Sequence, residues 1–313
     1  MTDSLRRTEY YYGKDNVLQN VAVWEFPEDK IAEPAPGATK YWLIFIHGGA
    51  WRDPRSTFSE AEPTINALLD PSSRWHIPDA PSRVAGFASL NYRLSPHPSF
   101  TQDAATTPSF ATRTARHPDH LADVLTGLRF LQRRLGLGGD YVLFGHSAGA
   151  MLAYQALLGT ACLGGADLSS SSSSAADDVT LPAAVVGFEG IYDLVGLDGR
   201  MGGGYAGFME AAFGADRGAW RDASPATAKG SFGAWTGGRG PRLAVLAQSV
   251  GDELVDMPEV GTMEGRLRED GVRDLLVFRD LEGGHFDVLN DGSFARVLIK
   301  TLEELGRLKS LEK

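Results

Sequence analysis

Ser147 stands in Gly145-His146-Ser147-Ala148-Gly149, directly after the apolar run 141–144 and ahead of an apolar stretch of helical length. Small residues on either side of a serine permit the sharp strand-to-helix turn that lifts its hydroxyl above a sheet. In a chain with 37 glycines the bare Gly-X-Ser-X-Gly pattern is weak, so its place between strand and helix supplies the specificity. A serine hydroxyl is too weakly acidic to attack alone; a base must take its proton and a carboxylate must orient that base.

Seven histidines compete for the role of base. His285 is selected because Gly283-Gly284-His285-Phe286 falls between the expected strand at 275–278 and the final helix, where a flexible turn can bring a ring over the serine. His47 and His146 lie inside other motifs, and His76, His97, His117 and His120 precede the serine in polar or Pro-rich sequence. For the carboxylate, Asp252 follows the expected strand at 243–247; Asp256 is the nearby alternative, and Glu253 is expected to point elsewhere. Asp252 also suits a helix N-cap, a role that competes with the catalytic one. The remaining requirement is a set of N–H groups for a developing oxyanion. His47-Gly48-Gly49-Ala50-Trp51 follows an apolar run and can supply it through Gly49 and Ala50, with Ala148 after the serine. Gly48 would permit the turn, and His47 would brace the loop without titrating.

These loops need a frame. The apolar runs Tyr41–Ile46, Val84–Leu90, 141–144, 183–188, 243–247 and 275–278 read as strands of a mostly parallel sheet buried on both faces. Helical periodicity lies between them, most clearly in Leu121, Val124, Leu125, Leu128, Leu131 and Leu135, and again after Ser293. Alternating strand and helix implies an α/β fold, and 313 residues leave room for one large domain spanning 1–313. Three stretches depart from the alternation. Six serines at 169–174 predict a flexible, exposed loop over 169–178. Residues 192–240 are Gly-rich yet carry Tyr205, Phe208, Phe213, Trp220 and Trp235, so they are expected to form a cap or lid packed over the sheet. Residues 95–117 are Pro- and Thr-rich and irregular, and no internal repeat is present.

Forty acidic against 30 basic residues give a net charge of −10, which argues against a nucleic-acid partner. The single Cys162 allows no intramolecular disulfide, no zinc-ligand spacing occurs, and neither metal nor cofactor is expected. The polar start of the chain lacks a secretory apolar region, and no apolar run approaches the roughly 20 residues of a membrane span, so a cytoplasmic protein is expected.

Taken in order, His-Gly-Gly, Gly-X-Ser-X-Gly, Asp and His resemble the α/β-hydrolase superfamily over most of the chain, from about Tyr41 to Leu305. Within it, His47-Gly48-Gly49-Ala50-Trp51 resembles the His-Gly-Gly-X-Trp signature of kynurenine formamidases, or arylformamidases. Gly190-Ile191-Tyr192-Asp193-Leu194 and His285-Phe286-Asp287 are similar to formamidase segments too. Asn91-Tyr92-Arg93-Leu94-Ser95 is similar to a segment of hormone-sensitive-lipase-like esterases, with Asn in place of Asp. The resemblance implies an α/β-hydrolase fold with a Ser147, Asp252, His285 triad and an oxyanion hole at Gly49 and Ala50. It also implies hydrolysis of N-formyl-L-kynurenine to L-kynurenine and formate, and it permits a homodimer. Trp51, Tyr192, Phe208 and Phe213 are the candidates to line a slot for the aryl ring, whereas the sequence singles out no arginine for the substrate carboxylate. The competing expectations are a broad carboxylesterase with the same triad and a non-catalytic binding protein on the same scaffold.

Overall fold

The run Tyr41–Ile46 is buried along its whole length, and its alternating side chains feed two cores. Trp42, Ile44 and Ile46 belong to one, Leu43 and Phe45 to the other. The computed structural model describes residues 5–162 and 179–311; the six-serine tract lies outside the described residues. In chain order the elements are β1 (Arg6–Tyr11), β2 (Asn20–Glu25), β3 (Tyr41–Ile46), α1 (Glu62–Leu69), α2 (Ala80–Arg83), β4 (Val84–Leu90), α3 (Asp119–Leu135), β5 (Tyr141–His146) and α4 (Ala148–Leu158). They continue with β6 (Ala184–Phe188), α5 (Leu194–Arg200), α6 (Ala206–Phe213), α7 (Arg217–Ala223), α8 (Gly233–Thr236), β7 (Leu243–Ser249), α9 (Met257–Glu269), β8 (Leu275–Leu281) and α10 (Ser293–Leu311).

The eight strands form one sheet in the order β1-β2-β4-β3-β5-β6-β7-β8. From β4 to β8 every pairing is parallel, while β1 and β2 add an antiparallel edge. Of that edge, β1, Arg-Arg-Thr-Glu-Tyr-Tyr, escapes the apolar-run criterion because it is largely solvated, as an outermost strand can be, whereas β2 carries the short buried run Val-Ala-Val-Trp, which was not singled out from sequence. Buried residues of α3, α4 and α9 pack in one core, together with Met209, Phe213, Trp220 and Trp235 from the 192–240 excursion. Residues of α1 and α10 pack in the other.

The predicted helix after Pro118 is α3, with Leu121, Val124, Leu125, Leu128 and Leu131 buried and a stop at Gly136, whose φ of 66° is left-handed. Its buried Asp123 accepts from Arg93 Nε at 2.8 Å, from Arg93 backbone N–H at 2.9 Å and from Gln19 Nε2 at 2.8 Å. The Asn91 to Ser95 segment is thereby tied to a helix. Tyr92, between them, stacks on the His47 ring at 4.4 Å and donates its hydroxyl to the carbonyls of Gly48 (2.9 Å) and His47 (3.1 Å). Replacing Asp123 with Ala leaves the Arg93 fork and the Gln19 amide without their shared acceptor. Urea unfolding of Asp123→Ala is expected to show a loss of about 2–3 kcal/mol, discounted from the range for fully buried pairs because Arg93 is partly solvated.

Candidate active site

The loops that follow β3, β5, β6, β7 and β8 meet at the carboxyl ends of these parallel strands, where open α/β sheets gather their ligands. Ser147 joins β5 to α4 with φ 53° and ψ −119°, a conformation disfavoured for a residue with a Cβ and costing on the order of 1–3 kcal/mol. Packing enforces it. The Ser147 N–H donates to Phe188 O at 2.9 Å, and a Cβ on Gly149 would stand 2.1 Å from Ile46 O, so α4 can start this close to β3 only with glycine there.

The loop after β3 is left-handed through three successive residues, Gly49 (φ 85°), Ala50 (48°) and Trp51 (60°). Its backbone lies against the elbow, since a Cβ on Gly48 would be 3.2 Å from Ser147 Cβ. Among the described residues the N–H groups of Gly49, Ala50 and Ala148 donate to no protein acceptor. Burial holds the His47 ring down to a pKa of about 4, so it stays neutral near pH 7 and acts through its stacking on Tyr92.

His285 is buried, and its Nδ1 lies 2.9 Å from Asp252 Oδ2. Asp252 is fixed from every side: Oδ2 also accepts from Gln248 Nε2 (2.8 Å), and Oδ1 accepts from the backbone N–H groups of Leu254 (2.8 Å) and Val255 (2.9 Å). The competing expectation of a helix N-cap is not met: Oδ1 closes a turn ahead of α9, and the residue at the N-cap of α9 is Asp256. Asp256 is instead engaged by Arg200, with Nε at 2.7 Å. Glu253, expected to point elsewhere, accepts from the His285 backbone N–H at 3.0 Å and holds the loop of His285.

Glu189 was not singled out from sequence. It follows β6 at φ 50°, fully buried, with Oε2 at 3.4 Å from His285 Nδ1 and 3.2 Å from His146 Nε2. An acid placed immediately after the apolar run 183–188 was the available signal. Burial, and then the negative charge of Asp252, push its carboxyl up to about 9, so it is protonated near neutrality. Burial, and then the neighbouring His285, hold His146 well below the ordinary histidine range, so its contact with Glu189 is a hydrogen bond between neutral groups.

His146, Glu189 and His285 also bring three potential metal-ligand atoms within 4.8 Å of one another. Two of these are spent on other bonds. The His285 carbonyl, 2.9 Å from His146 Nε2, can only accept, so that nitrogen carries a hydrogen, and His285 Nδ1 is turned to Asp252. A cation would have to break both contacts.

Ser147, His285, Gly49 and Ala50 share the wall of a cavity of about 330 Å³. Its apolar lining comes from Ile191, Tyr205, Phe208, Leu254, Val255 and Phe286. Of the four aromatic residues proposed from sequence, Phe208 alone lines it. Trp51 and Tyr192 have no exposed surface and Phe213 is 9% exposed. Trp51 packs edge-on against Phe213 at 4.9 Å, because its left-handed backbone turns the indole into the core and away from the cavity. Tyr205, Leu254, Val255 and Phe286 were missed because they lie far apart in sequence and meet only around the cavity.

This fold is that of an alpha/beta hydrolase, and the chain belongs to that family, whose model matches residues 43–297. More narrowly, it is similar to proteins named kynurenine formamidase. It shares 38% identity over 261 residues, 81% of this chain and 79% of the relative, with "Kynurenine formamidase-like hydrolase fscH" of Fusarium equiseti. With "Kynurenine formamidase avaC" of Aspergillus versicolor it shares 32% over 272 residues, 80% of this chain and 84% of the relative. Among solved structures, a "truncated form of carbohydrate esterase from gut microbiota" matches with a TM-score of 0.63 at 16% identity, covering 97% of this chain and 98% of that one. An esterase/lipase from an uncultured bacterium matches at 0.60 and 15%, covering 98% and 86%. At such identities the structural likeness bears on fold alone. No helix among the described residues is long and apolar enough to cross a membrane.

Two outcomes are expected from these contacts. In the folded chain Glu189 keeps its proton up to about pH 9, whereas in the unfolded chain it releases it near the free value of about 4.3. Its contribution to stability is therefore full in acid and is lost as pH rises through that window, by up to about 1.4 kcal/mol per pH unit. Glu189→Gln, isosteric with the protonated acid, should gain stability relative to the parent between pH 5 and 8 in urea titrations; parallel profiles would mean that Glu189 ionises normally. Trp51→Ala should cost about 3–5 kcal/mol by the same measurement, because the indole is fully buried against Phe213.

Proposed function

We propose that this chain hydrolyses N-formyl-L-kynurenine to L-kynurenine and formate, with Ser147 as nucleophile, His285 as base and Asp252 as its orienting acid. The observation that carries this reading is the similarity to kynurenine formamidase-like proteins over four fifths of the chain, with 38% identity to the Fusarium relative. The chemistry is supported by the His285 to Asp252 contact of 2.9 Å beside a strained serine.

His285 Nδ1–H donates to Asp252, which leaves Nε2 to accept the Ser147 proton as Oγ attacks the formyl carbon. Negative charge then develops on the former carbonyl oxygen, and the N–H groups of Gly49, Ala50 and Ala148, which donate to no acceptor among the described residues, bind it. Collapse of the tetrahedral intermediate breaks the C–N bond as the His285 imidazolium protonates the departing arylamine. Water, deprotonated by the same ring, attacks the formyl-serine, releasing formate and restoring the hydroxyl. An anilide nitrogen leaves more readily than an alkyl amine because its lone pair is delocalised into the ring, so an esterase-like site suffices. In this reading the 192–240 excursion serves as a cap, since Tyr205 and Phe208 contribute to the cavity wall.

The test is deformylation of N-formyl-L-kynurenine, followed as kynurenine absorbance, beside a panel of p-nitrophenyl esters. Deformylation should exceed ester cleavage, and Ser147→Ala should abolish both. Asp252→Asn should lower kcat by about 10⁴-fold through the wrong tautomer of His285. Fast ester cleavage with negligible deformylation would make the chain a carboxylesterase, and silence on both would make it a binding protein.

A further inference from the structure

We infer that Arg52 anchors a carboxylate carried on the leaving-group half of the substrate, which makes the preferred substrate class an aryl formamide whose amine half bears a carboxylate. The inference rests on the formamidase reading and deepens it. A formyl group offers a single hydrogen beyond its reacting carbon and oxygen, so a deformylase must select its substrate through the amine half.

Among the described residues lining the cavity with Ser147, Arg52 is the one Lys or Arg. It comes two residues after Ala50, directly beyond the left-handed loop, and its guanidinium lies over the Phe208 ring at 5.4 Å. This stacking holds the head in place while leaving its N–H fork open. No carboxylate or other hydrogen-bond acceptor among the described residues engages that fork. The adjacent acid, Asp53, is already taken by Arg55, which reaches it through Nε at 3.0 Å and a terminal nitrogen at 2.7 Å. His97 shares the same wall and is held below the ordinary histidine range by burial and by the nearby arginines, Arg52 first among them. Arg52 thus places a half-buried guanidinium on that side of the cavity, beside Asp53, whose carboxylate is hydrogen-bonded to Arg55 and not to Arg52. Burial lowers the basicity of Arg52, a cost that a bound carboxylate offsets through a bidentate contact. The rest of the lining, with Ile191, Leu254, Val255 and Phe286, is apolar enough for the aryl ring.

The experiment compares N-formyl-L-kynurenine with its methyl ester in the parent, Arg52→Gln and Arg52→Lys proteins. Arg52→Gln is expected to raise KM for the acid about tenfold or more and to lower the acid-to-ester ratio of kcat/KM at least about fivefold, with Arg52→Lys recovering part of the ratio. An unchanged ratio in Arg52→Gln, while the parent cleaves both formamides, would overturn the anchor and leave the formamidase reading standing. A parent protein that cleaves neither would overturn both.

Discussion

β3 and β5 run side by side and parallel, and the approach of α4 to the end of β3 is so tight that residue 149 can carry no side chain. The consequences of that contact reach every part of the site. It fixes where α4 begins, hence the left-handed turn at Ser147, hence the height of the serine above the sheet. It also sets the loop after β3 beside the elbow, so that the amides of Gly49 and Ala50 share a cavity with the serine. Backbone strain at Ala50, Trp51 and Ser147 is stored in this small volume and held by the buried contacts around it, including the Tyr92 hydroxyl on the Gly48 carbonyl.

Behind the serine the problem is electrostatic. Two carboxyls and two imidazoles meet in a space with almost no solvent, and placing a charge on all of them would cost far more than their mutual contacts return. The arrangement resolves this by solvating one carboxylate thoroughly and neutralising the other. Asp252 receives three N–H donors besides the His285 ring, whereas Glu189 keeps its proton because it lacks comparable donors and faces Asp252. His146, neutral, ties the His285 carbonyl and Glu189 together, so His285 is held from its main chain as well as its ring.

The cavity in front has a different logic. Its apolar surface is assembled from the loop after β6, the helices of the excursion, the turn after Asp252 and the residue following His285. Trp51, although part of the loop motif, adds nothing to that surface and instead fastens the loop to the core through Phe213. Apolar packing therefore supports the amides from below while a separate set of side chains shapes the space above them.

Local signals made the parallel strands, α3, α10, the serine elbow and the glycine loop legible in the sequence. Each rests on short-range physics: an apolar run, a 3.6-residue period, or a turn that only small residues permit. The same signals passed over β1, whose solvated edge has no apolar run, and misassigned Trp51 and Tyr192, because a large aromatic near a motif reads alike whether it faces a cavity or the core. His285 and Asp252 were legible as an ordered pair, but the choice of Asp252 over Asp256 was made by the competing partner, Arg200, some 56 residues away. The sequence by itself determined which backbone segments could turn sharply and which could be buried in a sheet. The tertiary structure alone decided which groups meet, the protonated Glu189 against His285 and the Arg52 guanidinium over Phe208, because those energies depend on distance and solvent access, which chain order does not encode.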